Sequence, residues 1–415
     1  MEGQKLDWLF LDMNAYFASV EQELDPALRG RPTAVVPVLA DTTCCIAASY
    51  EAKRFGVRTG TRVGTAKKLC PELEIIESRP DKYIEYHHRI IEAVNTVLPV
   101  DTVHSIDEMC CMLTGSQREY DKAVSIGEDV KRAIKERVGG ALRCSVGLAT
   151  NRFLAKVAAG MKKPDGFTVI TREELPEKLF SLSLDDLPGI GPGMYARLRR
   201  SGVHSVSDLY NLSEDEFADT WQTVVGRRWW HLLRGEDLPE PKTARRTVGH
   251  SHVLPPQMRT EDKTRAVLVR LIHKAAFRLR RLKYLASRMD VKVRYFSRDT
   301  RWKRTVKIGK KSDTHAMIEA FSAIWPERPR GLTPLSVSVT LYELTPSGES
   351  AYPLFAAELK QDKLAHAVDE INERYGMNSI YYGPMHGASE SAPLRIAFTS
   401  IPDIVAEGDK SERKL

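Results

Sequence analysis

The sequence predicts a multidomain α+β protein, and three observations carry that expectation. An N-terminal stretch mixes apolar strands with amphipathic helices, and two of its strands end on acids. Residues 171–238 then change to short helices alone, around the turn LPGIGPGM. Past the linker LPEPKTARRT, the order through 247–345 is strand, helix, strand, strand, helix, strand, which makes a compact sheet with helices on one face. A chain of 415 residues exceeds what one core holds. With 42% hydrophobic and 28% charged residues it reads as an ordinary globular protein, neither disordered nor membrane-bound. No window approaches the roughly 18 apolar residues of a membrane span.

The elements follow in order. LDWLFLDMN is a near-continuous apolar strand ending on Asp12, and NAYFASVEQEL a helix with Tyr16, Val20 and Leu24 on one stripe. RPTAVVPV and CCIAAS read as strands, YEAKRFG as the start of a helix, and Asp81 to Leu98 as a long amphipathic helix. VHSIDEMCCML, a helix from Tyr120 to Glu136, the strand LRCSVGLAT and the helix FLAKVAAGM complete this region. In 247–345 the strands are VGHSHVLP, RMDVKVRYF, WKRTVKIG and LSVSVTLYEL; the helices run Glu261 to Leu285 and Thr314 to Trp325. The last 70 residues hold one further helix, DKLAHAVDEINERYG, and otherwise read as loose.

Six cysteines (44, 45, 70, 110, 111 and 144) form no CxxC, so neither a zinc site nor a disulfide framework is expected, and a reducing cytosol suits them. The opening MEGQKLDWLFLD ends its short apolar run on an acid and is not expected to be a signal peptide. The net charge of +7 is modest, but basic residues crowd between Thr243 and Lys311, interleaved with Phe277, Tyr284, Tyr295, Phe296 and Trp302. That is the pattern of a phosphate-backbone binder, with a solvated helix face as the alternative.

Asp12 after one apolar strand, and Asp107–Glu108 after another, carry the strongest chemical signal. Three carboxylates converging from two strands can hold two hard cations such as magnesium, which clamp an in-line phosphoryl transfer. Strand ends also carry acids wherever they enter solvent, so spacing alone leaves that reading open.

DMNAYFASVE, YEAKRFGVRTG, SIDE, VGLATNRFLAKVAAGMKKPDG and LPGIGP occur in an order and at spacings that resemble the Y-family DNA polymerases, over at least residues 6–345. The resemblance implies a right-hand architecture: palm at 1–15 and 80–170, fingers at 16–79, thumb at 171–238, linker at 239–246, little finger at 247–345 and tail at 346–415. It implies template-directed, error-prone lesion-bypass synthesis from a primer-template and dNTPs. Asp12, Asp107 and Glu108 would be catalytic ligands of two Mg2+ ions, with Mn2+ as a substitute and the Met13 carbonyl as a further ligand. Phe17 would be the ribose gate, with Tyr16, Tyr50, Lys53 and Lys163 completing the nucleotide pocket, Tyr16 the more core-like. Asn14 and Lys53 depart from the Asp and Arg of many members. With Cys44–Ala47 and INERYGMNSIYYG they lean towards the bacterial SOS-induced UmuC-like branch, and so towards SOS accessory partners. A lysine cannot grip phosphate bidentately as arginine does. Methionine at 109 is bulkier than usual.

LPGIGPGMYARLRRSGV resembles a helix-hairpin-helix, whose Gly189, Gly191 and Gly193 would let backbone N–H groups reach a DNA phosphate. Arg245, Arg246, Arg278, Arg280, Arg281, Arg301 and Lys303 are the further expected DNA contacts. Tyr352–Phe355 resembles a sliding-clamp peptide without its leading glutamine. The expected location is cytoplasmic, at the bacterial nucleoid. Three competing readings remain: a degenerate DNA-binding relative, a two-metal nuclease or cyclase, and an interaction protein of the damage response.

Overall fold

In this computed structural model the described residues are 5–41, 43–223, 225–241, 244–297, 300–349 and 356–392. They fall into two compact units that divide at Glu240/Pro241.

The first unit opens with β1 (Trp8–Met13) and α1 (Tyr16–Leu24). A small sheet follows from β2 (Thr33–Val36), β3 (Ala47–Ala48), α2 (Tyr50–Arg54), α3 (Val63–Leu69) and β4 (Glu74–Glu77), in strand order β3-β2-β4. The helix α4 (Pro80–Asn95) leads back to β5 (Thr102–Val103), β6 (Glu108–Met112), α5 (Tyr120–Arg137), β7 (Cys144–Ala149), α6 (Arg152–Met161) and β8 (Phe167–Ile170). α4 stops three residues short of the expected Leu98, because the residue before Pro99 disfavours helical backbone. The main sheet has the order β5-β6-β1-β7-β8, so β1 lies centrally with antiparallel partners on both sides. Its near-continuous apolar run follows from that position, since Trp8, Leu9, Phe10 and Leu11 are all buried.

One glycine sets how tightly α6 lies on this sheet. A Cβ at Gly147 of β7 would sit 2.0 Å from the Ala155 carbonyl oxygen and 2.4 Å from the Ala159 nitrogen, so only hydrogen fits. Asn151 caps α6 by accepting from the Leu154 N–H, and its Nδ2 donates to the carbonyls of Leu232 and Glu236. The helical region, α7 (Pro192–Arg200), α8 (Val206–Asn211), α9 (Glu214–Trp221) and α10 (Val225–Leu233), thereby shares one core with the sheet. Phe217, Trp221 and Trp229 pack in the same cluster as Trp8, Phe10 and Leu154. Serine capping boxes at Ser205/Asp208 and Ser213/Glu216 start α8 and α9.

In the second unit, β9 (Thr247–Val253), α11 (Glu261–Arg281), β10 (Tyr284–Tyr295), β11 (Arg301–Lys311), α12 (Thr314–Ile324) and β12 (Pro334–Pro346) realise the expected order. The sheet is fully antiparallel, β11-β10-β12-β9. Met289, Val291, Val293, Val337, Val339 and Leu341 face α11 and α12, while alternate residues form an open polar face. The sequence reading of the aromatics is corrected here: Tyr295 and Trp302 face the core through this alternation, Phe277 of α11 is buried against Met377, and Phe296 is exposed.

The tail is also more ordered than expected. α13 (Ala356–Tyr375) and the segment through Ala392 pack along α11, burying Met377, Met385 and Ala388. Arg280, expected as a DNA contact, is instead buried in a two-point ion pair with Asp369 at 2.6 and 2.7 Å, and its Nη1 also donates to the Ser312 carbonyl at 2.5 Å. Its guanidinium is committed to the fold. Arg281 pairs with Glu373 at 2.7 Å but stays at the surface, and Arg278 is half-buried on the same helix. No described helix is long and apolar enough to cross a membrane.

Removing one partner of a buried pair leaves the other charged and desolvated, which costs about 3–5 kcal/mol. Asp369→Ala should therefore lower the stability of the second unit by roughly that amount in denaturant melts, whereas Glu373→Ala at the surface pair should cost about 1 kcal/mol or less. Equal small losses for both would show that Arg280 does not depend on Asp369.

Candidate active site

The acids meet through strand register. Asp12 of β1 and Glu108 of β6 are direct cross-strand partners, and the Met13 N–H donates to the Asp107 carbonyl at 2.8 Å. Three carboxylates thus crowd the same end of two neighbouring strands. Ser105 steadies them: its hydroxyl donates to Asp107 Oδ1 at 2.6 Å and lies 3.4 Å from Glu108 Oε2. Burial pushes the Asp12 carboxyl above the ordinary carboxylate range, and the neighbouring charges of Glu108 and Asp107 add to this against the pull of Lys163. Asp107 is raised as well, first by burial and then by Glu108, against its hydrogen bond from Ser105.

Two lysines offset this charge. Lys163 Nζ reaches Asp12 Oδ2 at 2.5 Å, and Lys156 Nζ reaches Glu108 Oε2 at 2.8 Å. Among the described residues no three His, Cys, Asp or Glu side chains stand in ligating geometry, and Asp12 and Glu108 each meet one of these ammonium groups. The donor set nevertheless suits hard divalent cations, since three partly desolvated carboxylates offer oxygen ligands side by side.

Beside the acids lies a pocket of about 220 Å³ lined by Asp12, Met13, Tyr16, Phe17, Tyr50, Lys53, Asp107 and Lys163, together with Ala15, Ile46, Ala47, Ala48 and Thr59. The structure thus brings every expected nucleotide-binding residue to one cavity. Ala15 is left-handed at φ 48, which turns the chain sharply from β1 into α1 and presents the start of that helix to the cavity. Phe17 stacks on Tyr83 with ring centroids 4.5 Å apart, and the Tyr16 hydroxyl donates to the Tyr83 carbonyl at 2.5 Å. Both are buried side chains that still wall the pocket. Lys53 stands over the Tyr50 ring at 4.0 Å; burial, then the positive charge of Lys163, holds its pKa below the usual lysine value. Burial and the Asp12 charge push the Tyr50 phenol up to about 12.

Ser105, Lys156, Ala15 and Thr59 carry no signal of their own in the sequence. SIDE contains the serine, but nothing in the string says that its hydroxyl folds back two residues. Lys156 falls one turn into α6, a placement visible only once α6 is laid on the sheet. Met109, unusual by size, is fully buried and pairs with Leu11 across β1/β6, so it is a packing residue.

Of the expected DNA contacts, Gly189 has φ 102 and a Cβ there would meet the Trp229 ring at 2.8 Å, so glycine is needed twice over. Gly191 is the N-cap of α7, and open space lies where a Cβ at Gly191 or Gly193 would be. Arg245, Arg246, Arg301 and Lys303 are exposed, and Lys303 pairs with Asp290 at 2.7 Å. Tyr352–Phe355 lies outside the described residues.

A sheet that gathers three carboxylates beside a lysine-lined pocket is an arrangement suited to two-metal phosphoryl transfer on a triphosphate, and its relatives place it in the DNA polymerases. Residues 11–160 match the impB/mucB/samB family, and residues 245–353 match that family's C-terminal domain. The DNA polymerase IV of Moorella thermoacetica is 33% identical over 386 residues, covering 90% of this chain and 94% of its own. That of Bacillus velezensis is 29% identical, covering 96% and 97%. Among solved structures, a chimera of the Y-family polymerases Dbh and Dpo4 superposes with a TM-score of 0.68 at 23% identity, over 81% of this chain and 99% of that one. An insertion ternary complex of Dbh gives 0.55 at 23% identity, over 81% and 98%. The chain belongs to the impB/mucB/samB family of Y-family DNA polymerases, and its activity is DNA-directed DNA synthesis of the translesion type. These relatives carry the polymerase IV name; they support the family without the UmuC-like branch to which a few local residues leaned.

Proposed function

We propose that this chain adds dNMPs to a primer 3′-hydroxyl opposite normal and damaged template bases, with Asp12, Asp107 and Glu108 as its catalytic acids. The observation that carries this reading is the Asp12–Glu108 register, with Asp107 beside it and the lysine pocket alongside. Two divalent ions, magnesium by their oxygen preference and manganese as a substitute, would be held by these acids and the Met13 carbonyl; when bound they lower the pKa of the attacking hydroxyl and neutralise the leaving diphosphate. Lys53 and Lys163 present point charges to the triphosphate, and Tyr50 braces Lys53. Ser105 fixes Asp107, so its carboxylate need not reorganise during the reaction.

Removing Asp107 or Glu108 takes charge from the reacting end while leaving the second unit untouched. Asp107→Ala and Glu108→Ala should each lower single-nucleotide addition by about 10²-fold or more with primer-template affinity within a few-fold of the parent. Near-normal extension by either variant contradicts the assignment.

Phe17 lies five residues past Asp12 on the helix that starts at the pocket, which supports its reading as the sugar gate. A 2′-hydroxyl against that ring would lose water without gaining a hydrogen bond, a cost of about 1–3 kcal/mol before any steric overlap. Phe17→Ala should raise ribonucleotide incorporation by about 10²-fold while dNTP use falls far less. Equal losses of both would make Phe17 a packing residue for Tyr83.

DNA binding is supported by the open face of the second unit's sheet. There Lys292 stands directly opposite Lys303, Arg294 opposite Arg301 and Arg288 opposite Lys307. Like charges paired across strands are destabilising unless an anion joins them. Asp290 reaches Lys303 at 2.7 Å and Glu343 reaches Arg288 at 3.0 Å, while Arg294 and Arg301 have no carboxylate partner among the described residues. A phosphate backbone supplies that anion, and primer-template DNA is the partner the reading requires. The glycine turn at 189–193 offers a second backbone contact at the start of α7. Arg294→Ala with Arg301→Ala should weaken binding alike for all sequences. It should also lower the salt slope by about 1–2, since each phosphate that an arginine neutralises adds about 0.9 to that slope. An unchanged slope would leave this face as solvated surface. Docking on a sliding clamp through Tyr352–Phe355, SOS accessory partners and a nucleoid location remain part of the same proposal, by analogy of sequence alone.

A further inference from the structure

Asn14 follows the metal-side strand two residues after Asp12, where many members of the family carry a second acid. The residue is 2% exposed, lines a separate cavity with Tyr50 and Pro164 rather than the nucleotide pocket, and has its amide engaged by hydrogen bonds. Oδ1 accepts the Asp165 N–H at 2.6 Å, and Nδ2 donates to Ser145 Oγ at 3.0 Å and to the Asp12 carbonyl at 3.4 Å. The Ser145 hydroxyl in turn accepts the Gly166 N–H at 3.2 Å. From the other side, Lys131 Nζ donates to the carbonyls of Asp165 at 2.6 Å, Cys144 at 3.1 Å and Gly166 at 3.3 Å, and pairs with the Asp165 carboxylate at 2.7 Å.

Five of these bonds end on one short loop, 162–166, which carries Lys163, and the others tie the same groups to Asp12, Cys144 and Ser145. The loop is folded hard on itself: Asp165 is left-handed at φ 55, and a Cβ at Gly166 would meet the Lys162 carbonyl oxygen at 1.7 Å. Aspartate enters that backbone region more readily than most residues, and bonds from its surroundings hold it there. Asn14, Ser145 and Lys131 are those surroundings.

We propose that Asn14 is a positioning residue that acts through Lys163, holding the 162–166 loop so that the ammonium group stands at the nucleotide pocket before substrate arrives. This rests on the reading of Lys163 as a triphosphate ligand. A lysine tip on a flexible stem binds phosphate poorly when its backbone also wanders, so fixing the backbone removes part of the ordering that binding would otherwise require. The amide suits the post: one end accepts from the loop, and the other donates back to the strand that carries Asp12. Aspartate would keep the acceptor for Asp165, with the Ser145 hydroxyl free to turn and donate. Alanine would lose both.

The test is steady-state single-nucleotide insertion by the full chain on a primed template, in a double-mutant cycle. Asn14→Ala should raise the KM for dNTP about tenfold with kcat changed less than about threefold, and Asn14→Asp should return KM to within about threefold of the parent. Added to Lys163→Ala, the Asn14→Ala change should raise KM by less than about twofold, because the group it positions is gone. If Lys163→Ala alone leaves KM unchanged, the triphosphate reading of Lys163 fails and this inference with it. If Lys163→Ala raises KM but Asn14→Ala does not, or multiplies it fully in the double variant, the positioning role is overturned and the Lys163 reading stands. Should Asn14→Ala not fold, Lys131→Met takes its place in the cycle, with the same sub-additive result expected and full additivity overturning the proposal.

Discussion

The pairing of β1 with β6 forces Asp12, Asp107 and Glu108 into one partly desolvated patch, and the burial of that negative charge is the condition around which the first unit is arranged. Buried like charges raise one another's pKa and cost stability unless positive charge is brought to them. Here Lys163 and Lys156 arrive from the loop after α6 and from α6 itself. That helix can deliver Lys156 only because Gly147 lets it lie almost against β7. Asn151 holds the start of the same helix to the chain around α10. The helical region is therefore built onto the catalytic sheet through one shared core.

The second unit repeats the device with the opposite sign. Three basic pairs stand face to face across β10 and β11, a placement that isolated sheets avoid. Buried charge in that unit is treated differently, since Arg280 is matched in two-point contact by Asp369. Arg280 is thus paired inside, whereas on the open face Asp290 and Glu343 meet Lys303 and Arg288, and Arg294 and Arg301 are left set against one another.

Element types are largely legible in the sequence because apolar runs, glycine turns and serine caps act locally. Asp12 can be read as a strand-end acid from its own string, but not that it faces Glu108, since register is a long-range choice between two strands. The aromatics between 277 and 302 mislead for a related reason. In a strand every second side chain faces the core, so Trp302 and Tyr295 interleave with lysines and arginines in sequence and yet leave them in space. Arg280 looks like a DNA contact in sequence because the helix that carries it is basic. α13 covers that helix on its outer side, and the covering segment lies about 90 residues away in the chain, where no local pattern reveals it. Lys163 is expected at the pocket, whereas the network that holds its loop draws on Asn14, Lys131 and Ser145, three elements apart.

On the proposed reading, the register-matched acids jointly hold two divalent ions when primer and nucleotide are bound. Electron paramagnetic resonance of Mn2+ binding to the complex with a dideoxy-terminated primer-template and the matched dNTP tests it directly. Two ions per complex are expected for the parent, with the second lost when Asp12 is replaced by asparagine. One ion or none in the parent complex, or two that persist in the Asp12→Asn variant, would contradict the account.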